Sequence, residues 1–401
     1  MIDNQSVKFG DVCKEVKLTT KDPIGDGYER YIGLEHLDSG SLKIKRWGII
    51  AEDSPSFTRV FKKGHVLIGK RRAYLRKAAI ADFDGICSSD IIVVDATNKL
   101  FCHDLLPFIV QSEKFWQHAI DTSSGSLSPR TKFASLKTLP IKLGSNESQA
   151  ELSQNLAKFS SVINSLDGLI ECSIKSRKLI LTNAMKGLNK NQETYLDRQV
   201  GILNKNYKLV TLDKLLSKNK NSMRSGPFGS ALKKDDLSLS GTPFLGIDNV
   251  FEECFSDDFK RFVPDDLLSK FTKFEVFGGD VMITIMGTVG RACVYPYDSG
   301  PALSSKHLWT MTFENYPSEL MAWQLNYAPW VKHHFSKYSQ GGIMDAISSK
   351  VLKTCPIIVP LDSDISSLLK TVKSSLLVNE ELLSRKETVS KLLDSYLVER
   401  M

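Results

Sequence analysis

The sequence predicts an α+β protein: two similar globular α+β domains joined by two long antiparallel helices, a coiled coil with pseudo-twofold symmetry. Three observations predict it. Landmark segments recur in the same order at offsets that creep only from 213 to 216 residues. Each copy closes on nearly the same stretch, LKTLPI at 136–141 and LKTCPI at 352–357. After each closing stretch, apolar residues recur at helical spacing for the length of a long helix.

The repeat sets the order of elements. YIGLEHL (31–37) lines up with FLGIDNV (244–250), placing Gly33 on Gly246, Glu35 on Asp248 and His36 on Asn249. FKKGHVLI (61–68) lines up with FGGDVMI (277–283), RKAAI (76–80) with GRACV (290–294), CSSD (87–90) with LSSK (303–306) and SSGS (123–126) with SQGG (339–342). Within each copy, HVLIG and DIIVVDA, and then DVMITIM and HLWTMTF, are short β-branched or aromatic runs bounded by Gly, Asp and Ser, so they read as strands. PFIVQSEKFWQHAI (107–120) and SELMAWQLNYAPWVKHHF (318–335) read as the helical patches. Gly125 and Gly341 suit backbone turns. His333 and His334 read as surface residues, since adjacent positions on a helix cannot share a ligand.

A proline ends each domain pattern because it lacks an N–H and disfavours helix just before it. Ser148 and Glu151 then have capping-box spacing. Leu152, Leu156, Phe159, Ile163, Leu166 and Ile170 follow at alternating spacings of four and three, a heptad seam. After the second copy Asp362 is an N-cap residue, and Ile365, Leu369, Val372, Leu376, Leu383, Val389, Leu393 and Leu397 continue less regularly. The order is therefore a domain over 1–145, a helix and linker over 146–200, a domain over 201–361 and a helix over 362–401. If the second helix packs along the first, the pair is antiparallel. A helix over 147–185 spans roughly 58 Å, the length of a rigid ruler.

Composition excludes several classes. With 42% hydrophobic and 25% charged residues the chain has an ordinary globular composition. No uninterrupted apolar run reaches membrane-spanning length, and MIDNQSVKFGDVCKEVK lacks the apolar core of a signal peptide. The seven cysteines are scattered without a C-x-x-C pair, which argues for reduced thiols in a cytoplasmic setting and against a zinc site. Residues 1–145 carry 22 Lys and Arg against 17 Asp and Glu, and 201–361 carry 18 against 16. The net charge of +7 thus resides mostly in the two blocks, compatible either with nucleic acid or with a solvated surface.

The ordered set of YIGLEHL and FLGIDNV, GDVMITIMGTVGRACV (279–294), RSGPFGSALKKDD (224–236), SSGS and SQGG, and LKTLPI and LKTCPI leading into long helices resembles the specificity subunit of type I restriction–modification enzymes over nearly the whole chain. The resemblance implies two target recognition domains, each reading one half of a bipartite, asymmetric site in double-stranded DNA. It implies helices that set the gap and dock two methyltransferase subunits, with restriction subunits joining that complex. It also implies no catalysis by this chain, no cofactor, no metal and no membrane.

Catalytic signatures are accordingly sparse. GHVLIGKR (64–71) mimics a phosphate loop, but Arg71 stands where the Ser or Thr would bind magnesium, and HVLI reads as a strand. Asp265, Glu15 and Lys17, possible pieces of a nuclease triad, lie far apart. For DNA, the dense cluster KRRAYLRK supplies Lys70, Arg71, Arg72, Tyr74, Arg76 and Lys77, with Ser88, Ser89, Arg130 and Lys132 as second-rank candidates. The other reading of that cluster is an edge strand kept soluble by charge. In the second block the candidates are Arg224, Ser225, Lys233, Lys234, Thr288, Arg291, Ser305, Lys306 and His307. On the helices, the partner-binding candidates are Leu152, Leu156, Phe159, Ile163, Leu166, Ile170, Leu369, Val372, Leu376 and Leu383. A two-headed protein-interaction scaffold without DNA specificity is the alternative reading.

Overall fold

The computed structural model describes residues 5–97, 101–126, 128–188, 192–227, 232–339 and 347–400. It divides into two compact units, residues 1–169 with 382–401, and residues 170–381. The division falls inside both long helices, Asn146–Met185 and Asp362–Arg400, so each unit contains a piece of each.

The first unit has two four-stranded sheets. One runs Cys13–Glu15, Ile91–Ala96, Val66–Gly69, Ala78–Ile80, all antiparallel. The other runs Gly48–Ile49, Arg30–Ile32, Gly85–Cys87, Arg59–Phe61, with its middle pair parallel. A two-stranded sheet joins the start of the domain, Gln5–Lys8, to its end, Pro140–Leu143. The apolar runs form strands because both of their faces are covered. Along Ile91–Ala96, Ile92 and Val94 enter a core with Phe9, Phe115 and Trp116, while Ile91 and Val93 enter a second with Ile32, Phe61 and Leu67. That is the two-residue alternation of a strand. Val66–Gly69 is likewise a strand, so the phosphate-loop mimic is no anion cradle.

The second unit repeats this topology. Its sheets run Met223–Arg224, Leu308–Met311, Val281–Thr284, Ala292–Val294, and Phe262–Val263, Thr242–Leu245, Ala302–Ser304, Glu275–Val276, again with one parallel middle pair. Lys208–Thr211 pairs with Pro356–Val359 as the closing sheet. One alignment needs correction. Ile32 pairs with Cys87 as Leu245 pairs with Ser304, so Cys87 corresponds to Ser304 and not to Leu303. The offset there is 217, which puts Ser88 on Ser305, Ser89 on Lys306 and Asp90 on His307. After the first long helix, Thr194–Asp197 and Gly201–Asn204 form a hairpin that straddles the expected boundary between the linker, ending at 200, and the second domain, starting at 201.

The shared closing stretch has a physical account. Leu136 and Leu352 are fully buried, and Ile141 and Ile357 enter the same cores from the closing strands. The threonine hydroxyls of Thr138 and Thr354 lie 3.3 and 3.5 Å from the Nε2 atoms of His118 and His334, which also bond the carbonyls of Ser135 and Val351 at 3.0 and 2.9 Å. His334 is therefore a half-buried structural residue, contrary to its reading as a surface histidine. SQGG and Gly341 lie outside the described residues, apart from the backbone of Ser339.

Two turns differ between the copies in a way that predicts pH dependence. His36 Nδ1 accepts from the Gly33 amide at 2.9 Å and His65 Nδ1 from the Lys62 amide at 3.0 Å. The second unit uses Asn249 and Asp280 for the same bonds, to the Gly246 and Phe277 amides. Burial pushes both imidazoles below their ordinary pKa, against the pull of Glu35 and Asp53 on His36 and of Asp95 and Asp84 on His65; Arg46, and Lys62 with Lys14, add to the lowering. The unfolded chain binds these protons near pH 6.5 and the fold only at lower pH, so stability falls as pH drops below about 6.5. Thermal unfolding at about pH 7.5 and about pH 5.5 checks it. The drop should shrink in a His36→Asn/His65→Asp variant, and an equal drop in both proteins would refute the assignment.

The long helices pack antiparallel within the units. Asn155 donates to the Tyr396 hydroxyl at 3.0 Å and Lys386 pairs with Asp167 at 2.7 Å in the first. Arg177 Nε donates to Ser375 Oγ at 2.8 Å in the second. This overturns part of the docking seam. Leu152 and Leu156 are buried in the first unit's core with Leu397, and Val372 in the second unit's core, so these three are closed to a partner. Phe159, Ile163, Leu166, Ile170, Leu369 and Leu376 are half-buried, Phe159 with its ring 5.8 Å from that of Tyr396. Leu383 is exposed, as are Val162, Leu169, Leu377 and Leu392, which the seam did not include.

Candidate nucleic-acid interface

Three separate landmarks of the first unit meet at one surface. The Lys70 amide donates to the Asp90 carbonyl at 2.8 Å, the Thr131 amide to Lys70 at 2.9 Å and the Arg72 amide to Pro129 at 2.9 Å. Ser124 and Arg130 exchange backbone bonds at 3.1 and 2.9 Å, closing the turn that holds Gly125 at φ +112°. Segments 70–72, 88–90 and 128–131 are thus stitched together, and they carry Arg71, Arg72, Ser88, Ser89 and Arg130.

Asp90, which the sequence reading passed over, organises this surface. Arg71 Nη1 lies 3.3 Å from Asp90 Oδ2 and Arg130 Nε 3.3 Å from Asp90 Oδ1. Arg71 Nε also donates to Ser128 Oγ at 3.1 Å. Ser88 Oγ accepts from the Asp90 amide at 3.2 Å. Arg72, Ser89, Tyr74 and Lys132 are exposed. Tyr74 sits on a one-turn 3₁₀ helix, Ala73–Leu75, flanked by left-handed residues Arg72 (φ 54°) and Arg76 (φ 49°).

The rest of the basic cluster has intramolecular employment. Arg76 makes a bidentate pair with Glu113, its Nη2 at 2.7 Å from Oε1. Lys77 Nζ donates to the Leu34 carbonyl at 2.7 Å and Lys70 Nζ to the Ser89 carbonyl at 2.7 Å. Burial pushes the Lys70 ammonium below the usual lysine range. These three charges are partly spent inside the domain, which the count of basic residues did not reveal.

The second unit presents different chemistry. The Ile285 amide donates to the His307 carbonyl at 3.0 Å, the counterpart of the bond between Lys70 and Asp90. Lys306 is exposed and His307 half-buried, its imidazole pushed below its ordinary pKa by burial, with Lys306 and Arg261 adding to the effect. Arg291 lies over the Phe251 ring at 5.7 Å, and the half-buried Thr288 lends its carbonyl to the Thr284 hydroxyl. Lys233 is exposed and Lys234 opens a 3₁₀ turn, Lys234–Asp236. Residues 228–231 of the RSGPFGSALKKDD stretch lie outside the described residues.

Three candidates of the second block face inward. Arg224 is paired with Asp280, their side chains 7% and 1% exposed, and it donates to Thr312 Oγ1 at 2.9 Å. Ser225 and Ser305 are buried as well. A buried guanidinium with a carboxylate partner braces the sheet and is not offered to a ligand.

Comparison with known proteins follows the same outline. No family profile matches the chain. It is 22% identical over 296 residues to the type I restriction enzyme MjaVIII specificity subunit of Methanocaldococcus jannaschii, covering 71% of this chain and 64% of that protein. It is 26% identical over 132 residues to the EcoDI specificity subunit of Escherichia coli, covering 33% of this chain and 29% of that protein. The alignments therefore span less than two thirds of these relatives. A chain from a structure of the assembly and conformational transition of a type I restriction–modification system superposes with a TM-score of 0.50 at 18% identity, covering 99% of this chain and 97% of that one. The fold is shared with that chain, and the sequence relatives are specificity subunits. Among the described residues, no helix is long and apolar enough to cross a membrane.

Proposed function

We propose that this chain is the DNA sequence-specificity subunit of a type I restriction–modification complex. Each unit's recognition domain reads one half of a bipartite, asymmetric site, and the long helices set the spacer and dock two methyltransferase subunits, which restriction subunits join. The chain works in the cytoplasm without a cofactor and catalyses nothing itself. The observation that carries this reading is one topology built twice with different surface chemistry at the same place: Arg71, Asp90 and Arg130 in one copy, Lys306 and His307 in the other. An asymmetric bipartite target requires two readers that share a frame and differ in contacts.

Gel-shift titration of duplex DNA with the chain and its methyltransferase subunits tests the reading. Binding should weaken steeply with salt, since each phosphate contact adds about 0.9 to the log–log slope. The scaffold alternative predicts partner binding with no salt-sensitive DNA affinity.

A further inference from the structure

We propose that Asp90 is a positioning residue for the first half-site: its carboxylate holds Arg71 and Arg130 as a preset pair whose free guanidinium edges contact DNA. This rests on the specificity-subunit reading and adds to it the residue that aims the contact. Each carboxylate oxygen takes one arginine, Oδ2 to Arg71 and Oδ1 to Arg130. Ser128 holds Arg71 from the other side. Backbone bonds among 70–72, 90 and 129–131 fix the roots of all three side chains.

The pair remains open to solvent, with the Arg71 and Arg130 side chains 40% and 55% exposed. Arg71 Nη2 and both terminal nitrogens of Arg130 have no partner among the described residues. The two terminal nitrogens of Arg130 can make a two-pronged bond to a phosphate or to guanine O6 and N7, and Arg71 Nη2 can add a single charged bond. Arginine has many rotamers, and ordering two of them before binding lowers the entropy lost on binding.

A stabilising role explains this arrangement poorly. Ion pairs this exposed contribute little to stability. A carboxylate on a DNA-facing surface also repels phosphates, so its place there needs a compensating use. Nor does the second unit repeat the device. His307 stands at the Asp90 position and Met286 at the Arg71 position, by the register of Gly69 on Thr284. The arginine pair therefore belongs to one half-site alone.

The test uses the full-length chain with its methyltransferase subunits. A pool of random-sequence duplexes is enriched for binding, and affinity is measured for a selected duplex and a scrambled one. Asp90→Asn removes a negative charge, so electrostatics alone predicts tighter binding to both. Positioning predicts about tenfold or greater loss on the selected duplex. Binding to the scrambled duplex should be unchanged or tighter. In an Arg71→Ala/Arg130→Ala background, Asp90→Asn should then change little.

Unchanged or tighter binding of the selected duplex by Asp90→Asn overturns the proposal, as does an equal loss in the arginine-less background. So does an equal loss on both duplexes with a lowered melting temperature, which marks a structural role. A wild-type complex with no preference among duplexes would instead sink the specificity reading itself, and this proposal with it.

Discussion

Replacing Arg177 with alanine is expected to destabilise the second unit by about 3–5 kcal/mol, the range for breaking a buried ion pair on one side. Arg177 leaves the first long helix to meet Glu253, with its Nη2 at 2.8 Å from Oε1 and side-chain exposures of 5% and 4%. It also bonds Ser375 on the second long helix, and its guanidinium lies 5.6 Å from the Tyr327 ring. Burial already pushes the Glu253 carboxyl above its ordinary range, against the pull of Arg177. Without the arginine that carboxylate is buried and uncompensated. Thermal unfolding should show the melting temperature falling by roughly 6–20 °C, at about 2–4 °C per kcal/mol for a unit of this size. Arg177→Met with Glu253→Leu should recover most of the loss, because two apolar groups replace a buried pair at little cost. An unchanged melting temperature in Arg177→Ala would show that the pair is ornamental.

Neutralising Arg71, Arg72 and Arg130 together is expected to have the largest effect on DNA binding. If each contacts one phosphate, the log–log salt slope should fall by about 2.7 in all, and affinity near physiological salt by two orders of magnitude or more. Arg76→Ala, by contrast, should leave the slope nearly unchanged, because Glu113 occupies both terminal nitrogens of that guanidinium, whereas Asp90 leaves those of Arg130 and Nη2 of Arg71 open. Salt titrations of both proteins distinguish them. Equal effects would mean that raw charge density, and not guanidinium nitrogens left open to a ligand, governs the surface.

The sequence carried the architecture because the architecture rests on repetition and period. Strands buried on both faces read as unbroken apolar runs, and helices packed along one stripe read as heptads. The one-residue error at CSSD arose because two adjacent serines in each copy allow two alignments, and only the parallel strand register decides between them. The hairpin at 194–204 escaped because its strands are short and largely exposed, leaving no apolar run to see.

The candidate surface was less legible. Charge counts register residues but not their partners: Glu113 lies 37 positions from Arg76, and Asp280 lies 56 from Arg224. Asp90 did leave a signal, an acid directly after a serine pair that recurs in the other copy, but nothing in spacing ties it to arginines at 71 and 130. Three positions of the expected docking seam, Leu152, Leu156 and Val372, are closed for a related reason. Apolar periodicity marks a packed stripe without saying what packs on it: these three enter the chain's own cores, while Val162, Leu169 and Leu377 are exposed.

The central claim is that two similar domains read two independent half-sites. Sequencing the methylated sites of a host carrying the complex tests it most directly, once with the intact chain and once with residues 201–361 exchanged for those of a relative. The account predicts a bipartite motif in which the exchange rewrites one half and leaves the other half unchanged. A motif changed in both halves, or no motif that depends on this chain, would contradict it.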